Sequence, residues 1–166
     1  MDSRHTNDPA VARHTALANL GYPGFSHRRT GEASAPPQYL LTIILSSDDV
    51  DARTLEALPW LLVRFARLNW EPVIETAVAQ GWQNRLGFVF SVAVELAKRM
   101  GCDDGLKAAL RAGLAQLEAC RTDGEDDFCY GSMTEAQRAW LREHRPAAAR
   151  HWHVLTNLEA SHVHTD

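Results

Sequence analysis

The sequence has too few cysteines for a secreted, disulfide-bonded scaffold. Its 3 cysteines, Cys102, Cys120 and Cys129, are widely spaced and form no CxxC pair. Small secreted domains carry an even and denser set, because disulfides replace a core that is too small. The cysteine pattern therefore favours a reducing compartment, and we expect a cytoplasmic protein with free thiols.

Long hydrophobic runs are also missing from the sequence. No segment approaches the roughly 18 consecutive apolar residues that are typical of a membrane-spanning helix. The first twenty residues, MDSRHTNDPAVARHTALANL, contain no apolar stretch of the kind that a signal peptide needs. We therefore expect neither a membrane span nor a signal peptide, and no membrane partner.

The chain has no excess of positive charge. It contains 17 Lys and Arg against 21 Asp and Glu, for a net charge of -4. This balance argues against non-specific binding to a nucleic-acid backbone, so nucleic acid is a possible but not a favoured partner.

The 166 residues are 45% hydrophobic and 23% charged, which is typical of a single globular domain.

Motifs of the common enzyme classes are absent. The sequence contains no P-loop, no Rossmann glycine pattern, no HExxH, no nucleophile elbow and no kinase signature. We therefore expect no cofactor and lean towards a non-enzyme, and we assign no catalytic residue.

The pattern that is present is helical. Leu55, Leu58, Leu62 and Phe65 recur at steps of three and four residues, which predicts one apolar helix face. The apolar segment 38–46 has no partner strand elsewhere, so we favour a helix there as well. The sequence predicts an all-α fold, a single compact bundle of five to seven helices over residues 38–162. A flexible polar arm over residues 1–37 precedes the bundle, and a short tail over residues 163–166 follows it.

One helix should lie at the centre of this bundle. Residues 86–97 are apolar on nearly every side, and Gly101 ends the segment. A helix that is hydrophobic all round must be surrounded by other elements. We therefore predict that this helix is buried.

The turn just before that helix is the candidate partner-binding site. It consists of Trp82, Gln83, Asn84 and Arg85, with Gly81 ending the preceding helix. If Asn84 caps the next helix, these side chains project from a rigid corner, which suits recognition. A cation at a helix N-terminus also needs a compensating negative charge. For Arg85 the alternative is therefore an internal salt bridge, for which Glu56, Glu71 and Glu75 are nearest in sequence.

Histidines and acidic residues form two further groups. The pairs at positions 151 and 153 and at positions 162 and 164 resemble metal-ligand pairs. Residues i and i+2 of a helix point in nearly opposite directions, so neither pair can chelate while helical, and we predict no metal site. The acidic loop 121–132 lacks the spacing of a calcium loop, and it is a solvated connection or a docking patch for a basic partner.

A helix-turn-helix interpretation also fails on its recognition helix. Ala77 and Gly81 occupy the small and turn-forming positions of such a unit when counting starts at Val73. The positions that would meet base edges hold Phe88 and Val89, which are apolar. A structural helix corner explains this segment better than DNA reading does.

Residues 51–101 resemble a known family. The segments LEALPWLL, LNW and QNRLGF are similar to a helical region of AbiE-type abortive-infection antitoxin-like bacterial proteins. The resemblance implies a non-enzymatic protein of bacterial phage defence, with DNA binding in an N-terminal winged helix. Residues 1–37 are too short and too polar for that domain, so DNA binding does not carry over.

The favoured function is therefore a non-catalytic protein-interaction module or a subunit of a bacterial complex, related to defence or to toxin–antitoxin systems. Its expected partner is another protein or a second copy of the chain. Two alternatives remain open. One is a metal-dependent hydrolase or nuclease that uses the histidines and acidic residues. The other is a DNA-binding antitoxin-like regulator.

Overall fold

A computed structural model describes residues 8–166, and helices dominate this part of the chain. The α-helices are α1 Pro9–Asn19, α2 Pro37–Leu45, α3 Ala52–Arg64, α4 Glu71–Gln80, α5 Gln83–Arg99, α6 Asp104–Glu118, α7 Glu135–His144 and α8 Ala147–His151. Two 3₁₀-helices cover Pro23–Arg28 and Ala160–His162. Over the same range, β-type pairing is limited to two isolated bridges, Asp49–Tyr130 and Asp126–Val154.

The all-α fold class is confirmed, but the predicted number of helices is too low. The prediction of five to seven helices covered α2 to α8; it assigned the region of α1 and the first 3₁₀-helix to the arm and did not include the second 3₁₀-helix. The predicted helix over residues 38–46 is confirmed as α2. Leu155 and Leu158 are buried in the irregular segment that follows α8, which ends at His151.

Local capping chemistry sets several helix ends. The side chain of Asp103 accepts a hydrogen bond from the Leu106 amide and begins α6. Thr134 and Gln137 form a capping box at the start of α7. Gly81 ends α4 with a φ of 84°, a left-handed conformation that glycine adopts without steric cost.

Helix α5 lies at the centre of the bundle, as predicted. It packs against α3, α4, α6 and α8, and its side chains are buried on most sides. Gly87 lets the ring of Trp152 lie directly on the α5 backbone, because a Cβ at Gly87 would come within 2.3 Å of that ring. The indole nitrogen of Trp152 donates a hydrogen bond to Ser91 Oγ at 2.8 Å. This contact attaches the C-terminal segment to the core.

The predicted flexible arm is wrong for residues 8–28. Helix α1 and the following 3₁₀-helix place Leu17, Tyr22 and Phe25 in the core, each at most 1% exposed. The rings of Tyr22 and Trp60 lie 5.3 Å apart, which docks this segment on α3. A few well-placed apolar side chains suffice for docking, although the segment is polar on average. Residues 1–7 of the predicted arm lie outside the described residues.

Candidate binding groove beneath helix α7

The corner at residues 82–85 is packed inside the protein, so the expectation that its side chains project outwards is wrong. Trp82, Gln83 and Asn84 are between 5% and 7% exposed. Asn84 does not cap α5, which has Trp82 at its N-cap position. Its amide instead forms a pair of hydrogen bonds with the Thr122 backbone, at 2.8 and 3.0 Å. These side chains therefore fasten the loop after α6 to the core.

Arg85 makes the internal salt bridge that the sequence left as an alternative. Its Nε donates to Asp126 Oδ1 at 2.8 Å, and its Nη1 donates to the carbonyl oxygens of Leu45 and Ser47 at 2.8 and 3.0 Å. Burial is the largest single influence and would lower the pKa of Arg85, but the hydrogen bond that Arg85 donates to Asp126 and the neighbouring negative charge together outweigh it, so the pKa is raised. The partner is 41 residues away in sequence, and none of the nearby glutamates takes this role.

Cys129 lies beside this guanidinium and is not an activated thiol. Its Sγ lies 3.4 Å from Arg85 Nη1. Burial raises the pKa of Cys129 to about 11, and the neighbouring arginine only partly offsets this effect. A thiol with that pKa is protonated at neutral pH, whereas nucleophilic cysteines need the thiolate. Cys129 is therefore a packing residue.

A groove of about 810 Å³ opens between α7 and the body of the bundle. Helix α7 supplies one wall, and the rest of the lining comes from the start of α3 and from two loop segments. The apolar side chains of this lining are Val50, Ala52, Leu55, Phe128, Ala136, Trp140, Leu141 and Leu155. Known ligand pockets have volumes of roughly 300–1,000 Å³ and a mostly apolar lining. The groove is therefore of a size and character that suit binding.

Ion pairs hold α7 beside the bundle. None of its residues is fully buried. Arg138 pairs with Asp127, and Arg142 Nη2 donates to Glu125 Oε1 at 2.8 Å. The hydrogen bond from Arg142 holds the pKa of the Glu125 carboxyl below its ordinary value. The groove therefore has one wall that is attached through one largely buried and one exposed ion pair.

The exposed aromatic side chains of the groove lie at its rim. Trp140 is 52% exposed and Tyr130 is 40% exposed. The Trp140 ring stacks on His144 with 4.4 Å between ring centroids, which fixes its orientation. Large aromatic side chains held in this way are typical anchors of protein interfaces.

One end of the groove is acidic. The Asp51 carboxylate is occupied by hydrogen bonds within the chain. It accepts one from the Thr54 amide, which caps α3, and one from His14 Nε2 at 2.9 Å. Burial would raise the pKa of Asp51, but these hydrogen bonds outweigh it and lower the pKa. Asp49 is exposed and accepts a hydrogen bond from Ser132 Oγ at 3.0 Å. Asp49 thus offers a carboxylate that remains accessible at the rim.

The acidic loop 121–132 is an internal anchor rather than a solvated connection or a free docking patch. Three of its four carboxylates pair with arginines of this chain: Glu125 with Arg142, Asp126 with Arg85 and Asp127 with Arg138. The fourth, Asp123, is exposed. The sequence offered no spacing signal for these pairs, because each joins residues brought together by the fold.

The histidine pair at positions 151 and 153 is not helical throughout. Helix α8 ends at His151, and His153 has a φ of 56°, so both imidazoles line the same surface depression. The premise that both histidines of this pair are helical is therefore wrong. Within residues 8–166, no three His, Cys, Asp or Glu side chains are grouped in a way that could hold a metal ion.

In the described part of the chain, no helix combines the length and the apolar character that crossing a bilayer requires. Comparison with family models, with curated proteins and with solved structures gave no match to this chain.

Proposed function

We propose that this protein is a non-catalytic binding module, and that the groove beneath α7 receives an apolar segment of a protein partner. The observation that carries the proposal is the groove itself, about 810 Å³ in volume, mostly apolar in lining and open to solvent. Amphipathic segments bind other proteins by laying an apolar face in such a groove.

The rim supports a protein partner. Trp140 and Tyr130 present aromatic surface next to the groove, and tryptophan and tyrosine are enriched among residues that dominate interface energies. Truncation of such an anchor typically costs at least about 2 kcal/mol of binding free energy. We therefore assign Trp140 as the principal contact residue and Tyr130 as its neighbour.

The negative charge at the acidic end of the groove favours a partner segment that carries a basic residue. Asp48 and Asp49 are both exposed, and neither pairs with a cation among residues 8–166. A basic residue at the matching end of the partner segment would place a positive charge beside them. Complementary charge of this kind contributes mainly to orientation and association rate.

The resemblance of residues 51–101 to AbiE-type antitoxin-like proteins adds a biological setting to the proposal. On that basis the complex belongs to bacterial phage defence, with this chain as a non-enzymatic subunit. The groove would then be the surface that joins the subunit to its complex.

A peptide-display library selected on the immobilised full chain tests the proposal. We expect enrichment of amphipathic peptides that carry Lys or Arg at one end. A synthetic peptide with the enriched pattern, measured by fluorescence anisotropy, should bind the Trp140→Ala variant at least about tenfold more weakly. The matched control is Tyr39→Ala, an exposed aromatic residue on α2 outside the groove.

Three outcomes would contradict the proposal. The library yields no enriched sequence, the enriched peptides are acidic at both ends, or Tyr39→Ala weakens binding as much as Trp140→Ala does. Asp49→Asn should weaken the binding of peptides with a basic end and leave the binding of other peptides unchanged. This effect should fade at high salt because exposed charges are screened.

A further inference from the structure

A second depression, of about 460 Å³, lies between the end of α6 and α8. Its lining residues are Arg121, Ala147, Arg150, His151 and His153. Four of the five carry basic side chains, and no acidic residue is among them. This composition differs from that of the groove beneath α7, which is mostly apolar and has a carboxylate at one end.

The fold gathers these side chains from two parts of the chain. Arg121 follows the end of α6, while Arg150 and His151 are the last residues of α8. His153 joins them because its backbone is left-handed, with a φ of 56°. Two backbone hydrogen bonds hold this conformation, from the His153 amide to Arg150 O at 3.2 Å and from the Asp126 amide to His153 O at 2.8 Å.

A left-handed conformation at a non-glycine residue has a cost. Sparsely populated backbone conformations are energetically unfavourable and are concentrated at functional sites. At His153 the result is that the imidazole of residue 153 lies over the same depression as that of residue 151. The strained backbone thus brings two hydrogen-bond donors to one place.

Arg121 is already oriented towards the depression. Its Nη1 donates to the His151 carbonyl at 2.9 Å and lies 3.4 Å from His153 Nε2. The Arg150 side chain is exposed, and no hydrogen bond or ion pair joins it to another of residues 8–166. Guanidinium groups present paired donors that match the oxygens of a phosphate, so two of them here form a suitable anion cradle.

Two carboxylates lie next to the cradle and compete with a bound anion. Glu118 Oε1 lies 2.6 Å from His151 Nε2 and 3.3 Å from Arg121 Nε. Asp123 Oδ1 lies 3.8 Å from His153 Nε2 and is fully exposed. They orient the basic groups in the free protein. Their negative charge also means that removing one of them should strengthen anion binding.

We propose that this depression is a binding site for the phosphate groups of a small phosphorylated molecule, formed by Arg121, Arg150, His151 and His153. The volume of about 460 Å³ suits a diphosphate-sized group rather than an extended polymer. The site is independent of the groove beneath α7 and does not rest on the proposed function.

Titration of the full-length chain with pyrophosphate at low ionic strength, followed by isothermal calorimetry, tests this site. We expect saturable binding with one site per chain. Arg150→Ala should weaken the binding at least about fivefold, since it removes a charged donor from an anion. The matched control is Arg111→Ala, an exposed arginine on α6 outside the depression, which should leave the affinity unchanged. Circular dichroism verifies that both variants fold.

Glu118→Gln provides a test in the opposite direction. It removes the competing charge and keeps the side-chain shape, so the affinity for pyrophosphate should rise several-fold. Trp140→Ala, which alters the groove beneath α7, should leave the affinity for pyrophosphate unchanged.

The proposal is overturned if pyrophosphate does not saturate, if Arg111→Ala weakens binding as much as Arg150→Ala, or if Glu118→Gln lowers the affinity. Tighter, Arg150-dependent binding of a single-stranded oligonucleotide would also overturn it, because the natural ligand would then be a nucleic acid rather than a small molecule.

Discussion

The acidic loop 121–132 attaches two very different elements by the same chemistry. On its inner side, Asp126 pairs with Arg85 of the central helix, and these side chains are only 26% and 14% exposed. On its outer side, Glu125 pairs with Arg142 of α7, and these are 39% and 45% exposed. Arg85 also binds two backbone carbonyls, whereas within residues 8–166 the Arg142 guanidinium donates hydrogen bonds only to the Glu125 carboxylate.

Burial decides what each arginine–carboxylate pair does. Water has little access to a largely buried pair, so removing Arg85 would leave carbonyl oxygens without that donor and the Asp126 carboxylate with only the Phe128 amide. An exposed pair exchanges its partner for water at little cost, and measured exposed pairs contribute roughly 0.2–1 kcal/mol. The inner pair therefore maintains the fold. The outer pair adds little to the attachment of α7, which also depends on the less exposed Arg138–Asp127 pair.

The largest expected effect comes from a core residue of α5. Phe90 is 1% exposed and packs so closely on α6 that a Cβ at Gly113 would lie 2.5 Å from its ring. Phe90→Ala should lower the free energy of unfolding by about 3–5 kcal/mol, as measured by urea denaturation. Trp140→Ala on α7 is the control and should change it by less than about 0.5 kcal/mol. A loss below about 1 kcal/mol for Phe90→Ala would contradict the central position of α5.

The inner arginine should give the next largest effect. Arg85→Ala removes one ion pair and two hydrogen bonds to carbonyl oxygens, so it should destabilise the protein by about 2–3 kcal/mol. Arg111→Ala, an exposed arginine on α6, should have almost no effect in the same denaturation experiment. If Arg85→Ala is as mild as Arg111→Ala, the inner pair is not a structural attachment.

The outer arginine should give the smallest effect on global stability. Arg142→Ala should cost less than about 1 kcal/mol, yet it should increase hydrogen exchange of the α7 amides relative to those of α5. High salt should produce a similar local change in the unaltered protein. An exchange increase spread evenly over α5 and α7 would show that α7 unfolds only with the whole domain.

The pH dependence of this local change follows from Glu125. Arg142 holds the pKa of the Glu125 carboxyl below its ordinary value of 4.5. A carboxyl with a lowered pKa stabilises the folded form above its ordinary pKa, and this contribution is lost as the pH falls through the folded-state value. Exchange of the α7 amides, measured relative to their intrinsic rates at each pH, should therefore rise below about pH 4.5. Arg142→Ala should reduce this pH dependence.

Local patterns in the sequence were sufficient to predict much of the fold. The three- and four-residue spacing of leucines placed α3, and the apolar segment 86–97 identified the central helix. Gly81 predicted the end of α4. These predictions hold because side-chain periodicity and capping depend on residues within one or two turns of each other.

Only the tertiary structure decided which surfaces are open and which charges are paired. The turn at residues 82–85 looked like an exposed corner, but Asn84 binds Thr122 and Arg85 binds Asp126, some forty residues away. The polar N-terminal segment contributes Tyr22 and Phe25 to the core. Helix periodicity fixes which residues share a face, but the partner of that face is chosen by contacts between distant segments. That is why the sequence determined the helices, whereas the groove beneath α7 and the basic depression beside α8 exist only in the folded chain.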